Sequence, residues 1–344
     1  MVNPTKSYKN SFVILVVALL LVAFLNISLG SVHIPIKQIF LAFFESSDVK
    51  ESWRTIILNY RLPKAITAII VGSGLSISGL LMQTLFRNPL AGPFVLGISS
   101  GASLGVAILI LGSGFLGANI AALAFSNWGQ AIAASLGAFL VLLAVMVTAQ
   151  KVRNTMSILI IGLMFGSLTA ALISVLSYFS SANQLQQYLF WSFGSLGNLS
   201  WNEIIALSVV FCVGLFLVFF IVKSLNSLLL GENYATSMGV NVKRTRNLTL
   251  LATSLLTGVI TAFSGPIAFI GLAVPHLTKL LFNTSNHKTL LPAVAISGAI
   301  IMLICDGIAQ LPASHYTLPI NAITSLFGAP IIIWLLVRKR KIFY

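Results

Sequence analysis

Long apolar runs that no charge interrupts fix the solvent of this chain before any motif is read. Ser11–Leu29 and Ile204–Val222 each extend for about 19 residues without Asp, Glu, Lys or Arg, close to the roughly 20 residues that a helix needs to cross a bilayer. In lipid the backbone must satisfy its own hydrogen bonds, which leaves helices or closed barrels. Barrel strands alternate apolar and polar residues over about ten positions, and these runs do not alternate. Hydrophobic residues make up 58% of the 344 and charged residues 8%, against about 25% charged in a soluble domain. The sequence therefore predicts an all-α membrane protein.

About ten spans are expected, with cores at 12–31, 63–84, 94–112, 118–149, 156–180, 203–222, 248–268, 269–282, 290–310 and 321–337, in one transmembrane domain over 1–344. The first run exceeds the 7–15 residues of a signal-peptide core and no A-x-A site follows, so it is expected to stay as a helix. The seventh and eighth cores run together through Ser264-Gly265-Pro266 and Pro275, which predicts a broken or re-entrant passage there.

The formal charge of +14 is spread between the spans, the pattern of topology signals rather than of nucleic-acid binding. With the N-terminus inside, Lys37, Lys50, Arg54, Arg61 and Lys64 fall in outer segments and the other 15 of the 20 basic residues fall inside. The expected place is the cytoplasmic membrane with both termini in the cytoplasm. Cys212 and Cys305 lie in apolar runs and read as small buried hydrophobes. The four histidines, His33, His276, His287 and His315, are scattered, so neither a metal site nor a cofactor is expected. Gly97, Gly101 and Gly105 recur every four residues, and Gly72/Ser76, Gly74/Ser78 and Gly162/Gly166 repeat the small-xxx-small spacing that allows close helix approach.

Three polar interruptions go beyond hydropathy. Arg61-Leu62-Pro63-Lys64 precedes the second span, and Arg87-Asn88-Pro89-Leu90-Ala91-Gly92-Pro93 follows it. Prolines 89 and 93 bias their predecessors away from helix. The largest inner loop, 223–247, contains Leu230-Gly231-Glu232-Asn233-Tyr234-Ala235 and reads as a short amphipathic helix between a turn at Gly231 and a stop at Gly239. The third interruption, Gly265-Pro266-Ile267-Ala268-Phe269-Ile270-Gly271-Leu272 through Pro275-His276, is joined later by Gly328-Ala329-Pro330.

RLP[RK], NPLAxP, LGxxxGA, LGExxAxxxG, GPIxFIGLxxPH and GAPxxxWLL occur in this order from Arg61 to Trp334 and just beyond. In these motifs the chain resembles the FecCD/BtuC-type permeases, membrane subunits of type II ABC importers for ferric siderophores, haem and cobalamin. The resemblance implies a ten-helix permease that pairs with a second permease subunit, itself or a paralogue. It implies two ABC ATPase subunits and an extracytoplasmic substrate-binding protein. Carried over by motif, Gly231, Glu232, Ala235 and Gly239 would couple to the ATPase. Asn88, Pro89 and Leu90, with Thr155, would stand at the cytoplasmic gate. Arg61 and Lys64 would meet acidic residues of the binding protein, the alternative being anchoring to lipid headgroups. The cargo expected first is an iron chelate, a ferric siderophore, with haem or cobalamin as alternatives. Gly92, Gln310, Thr317 and Asn321 depart from the family's usual acid, arginine, glutamate and glycine.

No GxxxxGK[ST] phosphate loop is present, so ATP hydrolysis is expected on another chain and this one is not expected to be an enzyme. An ion-coupled secondary transporter would favour several intramembrane acids, of which Asp306 is a lone candidate. An intramembrane enzyme would need a nucleophile–base or metal pair that the sequence does not offer. For Asp306 and His276 the expected role is structural, as buried hydrogen-bonding groups.

Overall fold

In the computed structural model the described residues are 8–30, 32–44, 49–116, 122–152, 155–311 and 316–338. His315, Lys6, Arg153, Lys339, Arg340 and Lys341 lie outside them, as do the side chains of Thr155 and Arg338.

Among the described residues every regular element is helical. The principal helices are α1 (Lys9–Ser28), α2 (Leu62–Leu85), α3 (Ile98–Leu111), α4 (Asn127–Gln150), α5 (Thr155–Tyr178) and α6 (Ala182–Ser192). They continue as α7 (Trp201–Leu228), α8 (Glu232–Ser237), α9 (Val242–Ser264), α10 (Ile270–Phe282), α11 (His287–Ala309) and α12 (Ile320–Arg338). Among the described residues seven are long and apolar enough to cross a bilayer, and α3, α10 and α12 are shorter apolar helices at three of the other expected cores. The bundle end where α1 begins and α2 finishes is called the near end below, and the other the far end.

The hydrophobic helix α2 sits at the centre, packed against α11, α9, α10 and α7 and buried along most of its length. Close approach to it depends on small residues. A Cβ on Gly79 would lie 1.7 Å from the Gly271 carbonyl oxygen of α10. On the next pair, a Cβ on Gly105 of α3 would lie 2.0 Å from the Ala133 carbonyl of α4. Gly97 leaves the expected stripe because it precedes α3 as its N-cap. At the periphery, Ile132, Leu136, Leu163, Leu168, Phe216 and Phe219 stay exposed, as side chains facing lipid or another subunit can. Cys212 belongs to this outer face and is exposed, whereas Cys305 is buried as expected.

Boundaries differ from the expected spans for physical reasons. The fourth helix is described from Asn127, and positions 118–121 of its expected span lie outside the described residues. The loop expected over 223–247 is helical at both ends, since α7 runs to Leu228 and α9 starts at Val242. Polar residues such as Lys223 and Asn226 end an apolar run without ending a helix. The stop comes at Gly231, whose φ of 119° suits glycine.

The expected break between the seventh and eighth spans is present at Gly265–Phe269, where Gly265 and Phe269 take φ of 72° and 68°. Pro275, by contrast, lies within α10 and does not interrupt it. A proline there removes the N–H that would bond the carbonyl four residues earlier, and that carbonyl, Gly271, is packed on Gly79. The opened backbone at the break finds partners: Ala268 N donates to Asn321 Oδ1 at 3.0 Å and Ser195 N to the Ser264 carbonyl at 2.9 Å. A Cβ on Gly328 would lie 2.2 Å from Phe269 Cβ, so the glycine of the last motif accommodates the strained residue of the one before it.

Candidate functional site

At the near end, α7 stops and the chain turns through Gly231 into the six-residue helix α8. Ala235 is its one buried residue and packs into the main core. Leu230, Tyr234 and Met238 are apolar yet 64%, 55% and 57% exposed. Val240 N returns to the Ala235 carbonyl at 3.0 Å, closing the helix through Gly239 (φ 81°). The expected short helix between Gly231 and Gly239 is therefore present, with one face held by the bundle and the other unburied.

The turn after α2 lies beside it. Arg87 adopts φ of 48° and donates from Nη2 to the Leu228 carbonyl at 3.0 Å and from Nε at 3.3 Å. That oxygen is at the negative end of α7, where a cation is favoured. Asn88 Oδ1 accepts from Leu90 N at 2.9 Å, tightening the turn, and Leu90 is exposed. A cavity of 750 Å³ brings Phe86 and Arg87 of this turn together with Met156 of α5 and with Gly231, Glu232 and Tyr234. Thr155 opens α5 next to Met156, although its side chain lies outside the described residues. The cavity thus joins Gly231 and Glu232 of the coupling set to Phe86, Arg87 and Met156, the chain neighbours of the residues assigned to the gate.

Two histidines hold the same turn from behind. His276 Nε2 lies 2.7 Å from the Pro89 carbonyl. His287, the first residue of α11, is buried; its Nε2 lies 2.8 Å from Thr84 Oγ1 and its Nδ1 2.8 Å from Asn226 Oδ1. Helices α2, α7, α10 and α11 are therefore joined around residues 84–89.

At the far end Asp306 is buried and gathers three partners. Lys64 Nζ is 3.0 Å from Oδ1, while Asn26 Nδ2 and Gln310 Nε2 donate to Oδ2 at 3.0 and 2.7 Å. The structural role expected for Asp306 fits these contacts, and Gln310, standing where the family usually has arginine, serves the same carboxylate. Arg61 is buried and donates to the Ile27 and Ser28 carbonyls at 2.9 and 3.0 Å and to that of Val32, sealing the end of α1. Its guanidinium faces inward, away from the surface where a docking cation was expected. Lys64 keeps 21% of its side chain exposed. Both residues border a far-end cavity of 650 Å³ that Phe193, Gln310, Thr317 and Pro319 also line.

Sequence reasoning did not single out Arg87, His287 or Asn26. Asn26 offered a signal, a carboxamide inside an otherwise apolar run. Arg87 and His287 gave none, since their partners are a carbonyl and side chains 61 to 203 positions away. Among the described residues, no group of three or more His, Cys, Asp or Glu could hold a metal ion.

Comparison with known proteins supplies the context for this geometry. The profile of the FecCD transport family matches residues 18–338. The hemin transport system permease protein HmuU of Yersinia pestis is 33% identical over 345 residues, covering 95% of this chain and 96% of the relative. The vitamin B12 import system permease protein BtuC of Citrobacter koseri is 36% identical over 282 residues, 82% of each chain. Among solved structures, an inward-facing ABC transporter of metal-chelate type superposes with a TM-score of 0.84 at 29% identity, covering 96% of this chain and all of that one. PsaBC from Streptococcus pneumoniae shares the fold at a TM-score of 0.55 and 18% identity.

Proposed function

Since this chain belongs to the FecCD transport family and is an ABC importer permease, we propose that it carries a chelated metal, and first of all a ferric siderophore, inward across the cytoplasmic membrane. The near end is the cytoplasmic end in this reading, with both termini there, in accord with the excess of basic residues. ATP hydrolysis belongs to two separate ATPase subunits. A second permease subunit completes the path, and an extracytoplasmic binding protein delivers the cargo.

The observation that carries the reading is the near-end cavity, where α8 borders the α2–α3 turn. Ala235 fixes α8 to the bundle, while Tyr234, Met238 and Glu232 present its exposed side to an ATPase. Displacement of α8 is passed through Gly231 and Arg87 to Asn88, Pro89 and Leu90, and to the start of α5 at Thr155. These residues open and close the path. Such coupling requires that the ATPase contacts differ between the two states. At the far end Lys64 is the cation assigned to meet acidic groups of the binding protein, with Arg61 holding the shape of the mouth. Charge pairing of this kind governs encounter and register.

Haem is the second cargo, favoured by the near full-length match to a hemin permease. Uptake of radiolabelled ferric siderophores, haem and cobalamin by cells lacking and regaining this chain separates the three. Ferric-siderophore uptake that needs both the chain and its ATPase is expected. Uptake that an ion gradient sustains without the ATPase would remove the proposal.

A further inference from the structure

Two adjoining cavities in the far half of the bundle take no part in the path described above. One, of 230 Å³, opens between α4, α6 and the α9–α10 break, walled by Asn127, Gln130, Gln187 and Ser264. The other is an apolar slot of 580 Å³ along α4, α7 and α9, walled by Ala131, Ala138, Leu142, Val210 and Gly258. They meet at Phe263, which borders both and packs edge-on against Trp128 at 5.8 Å.

The slot lies on the outside of the subunit. Ile132, Leu136 and Phe139 border it and are 58%, 58% and 57% exposed. Along α4 it reaches from Trp128 to Leu142, a rise of about 21 Å at 1.5 Å per residue. Half of a bilayer of about 40–45 Å, headgroup regions included, is about 20–22 Å. The slot thus has the depth of one leaflet, and it begins at the membrane level marked by Trp128, a residue type that prefers the interface.

The mouth has complementary chemistry. Gln130 Nε2 and Gln187 Nε2 each donate to the Ala124 carbonyl at 2.7 Å, and Asn127 Nδ2 donates to the Asn198 carbonyl at 2.9 Å. Each carboxamide commits its nitrogen to the protein, leaving its oxygen for a ligand's donor. Ser264 Oγ is buried without a hydrogen-bond partner, in a residue 1% exposed, and supplies a donor. No residue lining the mouth is charged, whereas anionic lipids are drawn to basic pockets.

We infer that the mouth and slot together bind one zwitterionic phospholipid of the far-end leaflet. Its ammonium donates to the carboxamide oxygens, a phosphate oxygen accepts from Ser264, and one acyl chain fills the slot. The inference depends on the bundle spanning a membrane and is independent of the cargo.

Native mass spectrometry of the full-length permease, delipidated and then given phosphatidylethanolamine or phosphatidylglycerol at equal concentration, tests it. One phosphatidylethanolamine per subunit should be retained in preference to phosphatidylglycerol. Gly258→Leu should cut retention by about tenfold, a change of about 1.4 kcal/mol. A Cβ at Gly258 meets only Ala138 Cβ, at 3.8 Å, so the larger side chain enters the slot. Ala138→Leu fills it from the facing wall and serves if the first variant fails to fold, and Gln187→Leu should erase the headgroup preference. Unchanged retention in the filled variants, or equal retention of both lipids by the unaltered chain, overturns the inference. So does loss of subunit pairing on filling the slot with lipid retention unaltered, which would make the slot a protein contact.

Discussion

Arg87 reaches from the turn after α2 to the Leu228 carbonyl that ends α7, with Nη2 3.0 Å from the oxygen. The contact ties the proposed gate turn to the entrance of the proposed coupling helix. A hydrogen bond from a charged group contributes about 1.5–3 kcal/mol. Arg87→Ala should therefore lower transport about tenfold or more while the associated ATPase still turns over, and Arg87→Lys should recover part of the loss. Uptake into proteoliposomes measured beside phosphate release would reveal it as a fall in cargo moved per ATP; parallel losses would mean a general folding defect.

Glu232→Arg inverts the charge on the exposed side of α8 without altering the buried Ala235. Membrane insertion should be unchanged, and ATP hydrolysis should continue with uptake reduced to near background. Unaltered transport in the same vesicles would remove Glu232 from the ATPase contact.

Gly79→Ala places a methyl 1.7 Å from the Gly271 carbonyl, where backbone on both sides must move. Overpacking of this kind costs about 1–3 kcal/mol, to be read as a lower midpoint of thermal unfolding in detergent. Gly258→Ala, whose Cβ meets only ordinary contact, is the comparison and should be neutral or slightly stabilising through helix propensity.

Asp306→Asn leaves Lys64 facing a neutral amide. Breaking a buried ion pair by removing one charge costs about 3 kcal/mol, and the 21% exposure of Lys64 places the effect at or below that figure. Adding Lys64→Met should restore part of the loss. Additive destabilisation in the double variant would show that the two side chains are not coupled.

The apolar helices and the short helix between Gly231 and Gly239 were legible because both are local. Apolar length announces a span, and a glycine at each end brackets six residues of helix. The break at Gly265–Phe269 was legible too, since Gly-Pro in an apolar run has few other uses. Pro275 misled because its effect depends on where the freed Gly271 carbonyl goes, and a helix nearly 200 residues earlier decides that. Separations of 61 to 203 positions hid the partners of Arg87 and His287 as well. Arg61 was assigned to docking by its motif, whereas its bonds to the carbonyls of Ile27, Ser28 and Val32, about thirty positions earlier, carry no sequence signal. Asn321, conspicuous in the sequence only as a missing glycine, proves to receive the Ala268 N–H at the break.

Helix α10 has 13 residues, about 20 Å at 1.5 Å per residue, well short of a hydrocarbon core of about 30 Å. Released alone into a bilayer during synthesis, it would leave the unpaired peptide groups of residues 265–269 among acyl tails. Stable entry must therefore wait for companions: α2 to receive Gly271, and Asn321 of the later-made α12 to receive Ala268. Biogenesis of this subunit accordingly cannot be a simple succession of independent insertions. Truncation before α12 should strand the preceding segment at the interface and expose it to quality-control proteases.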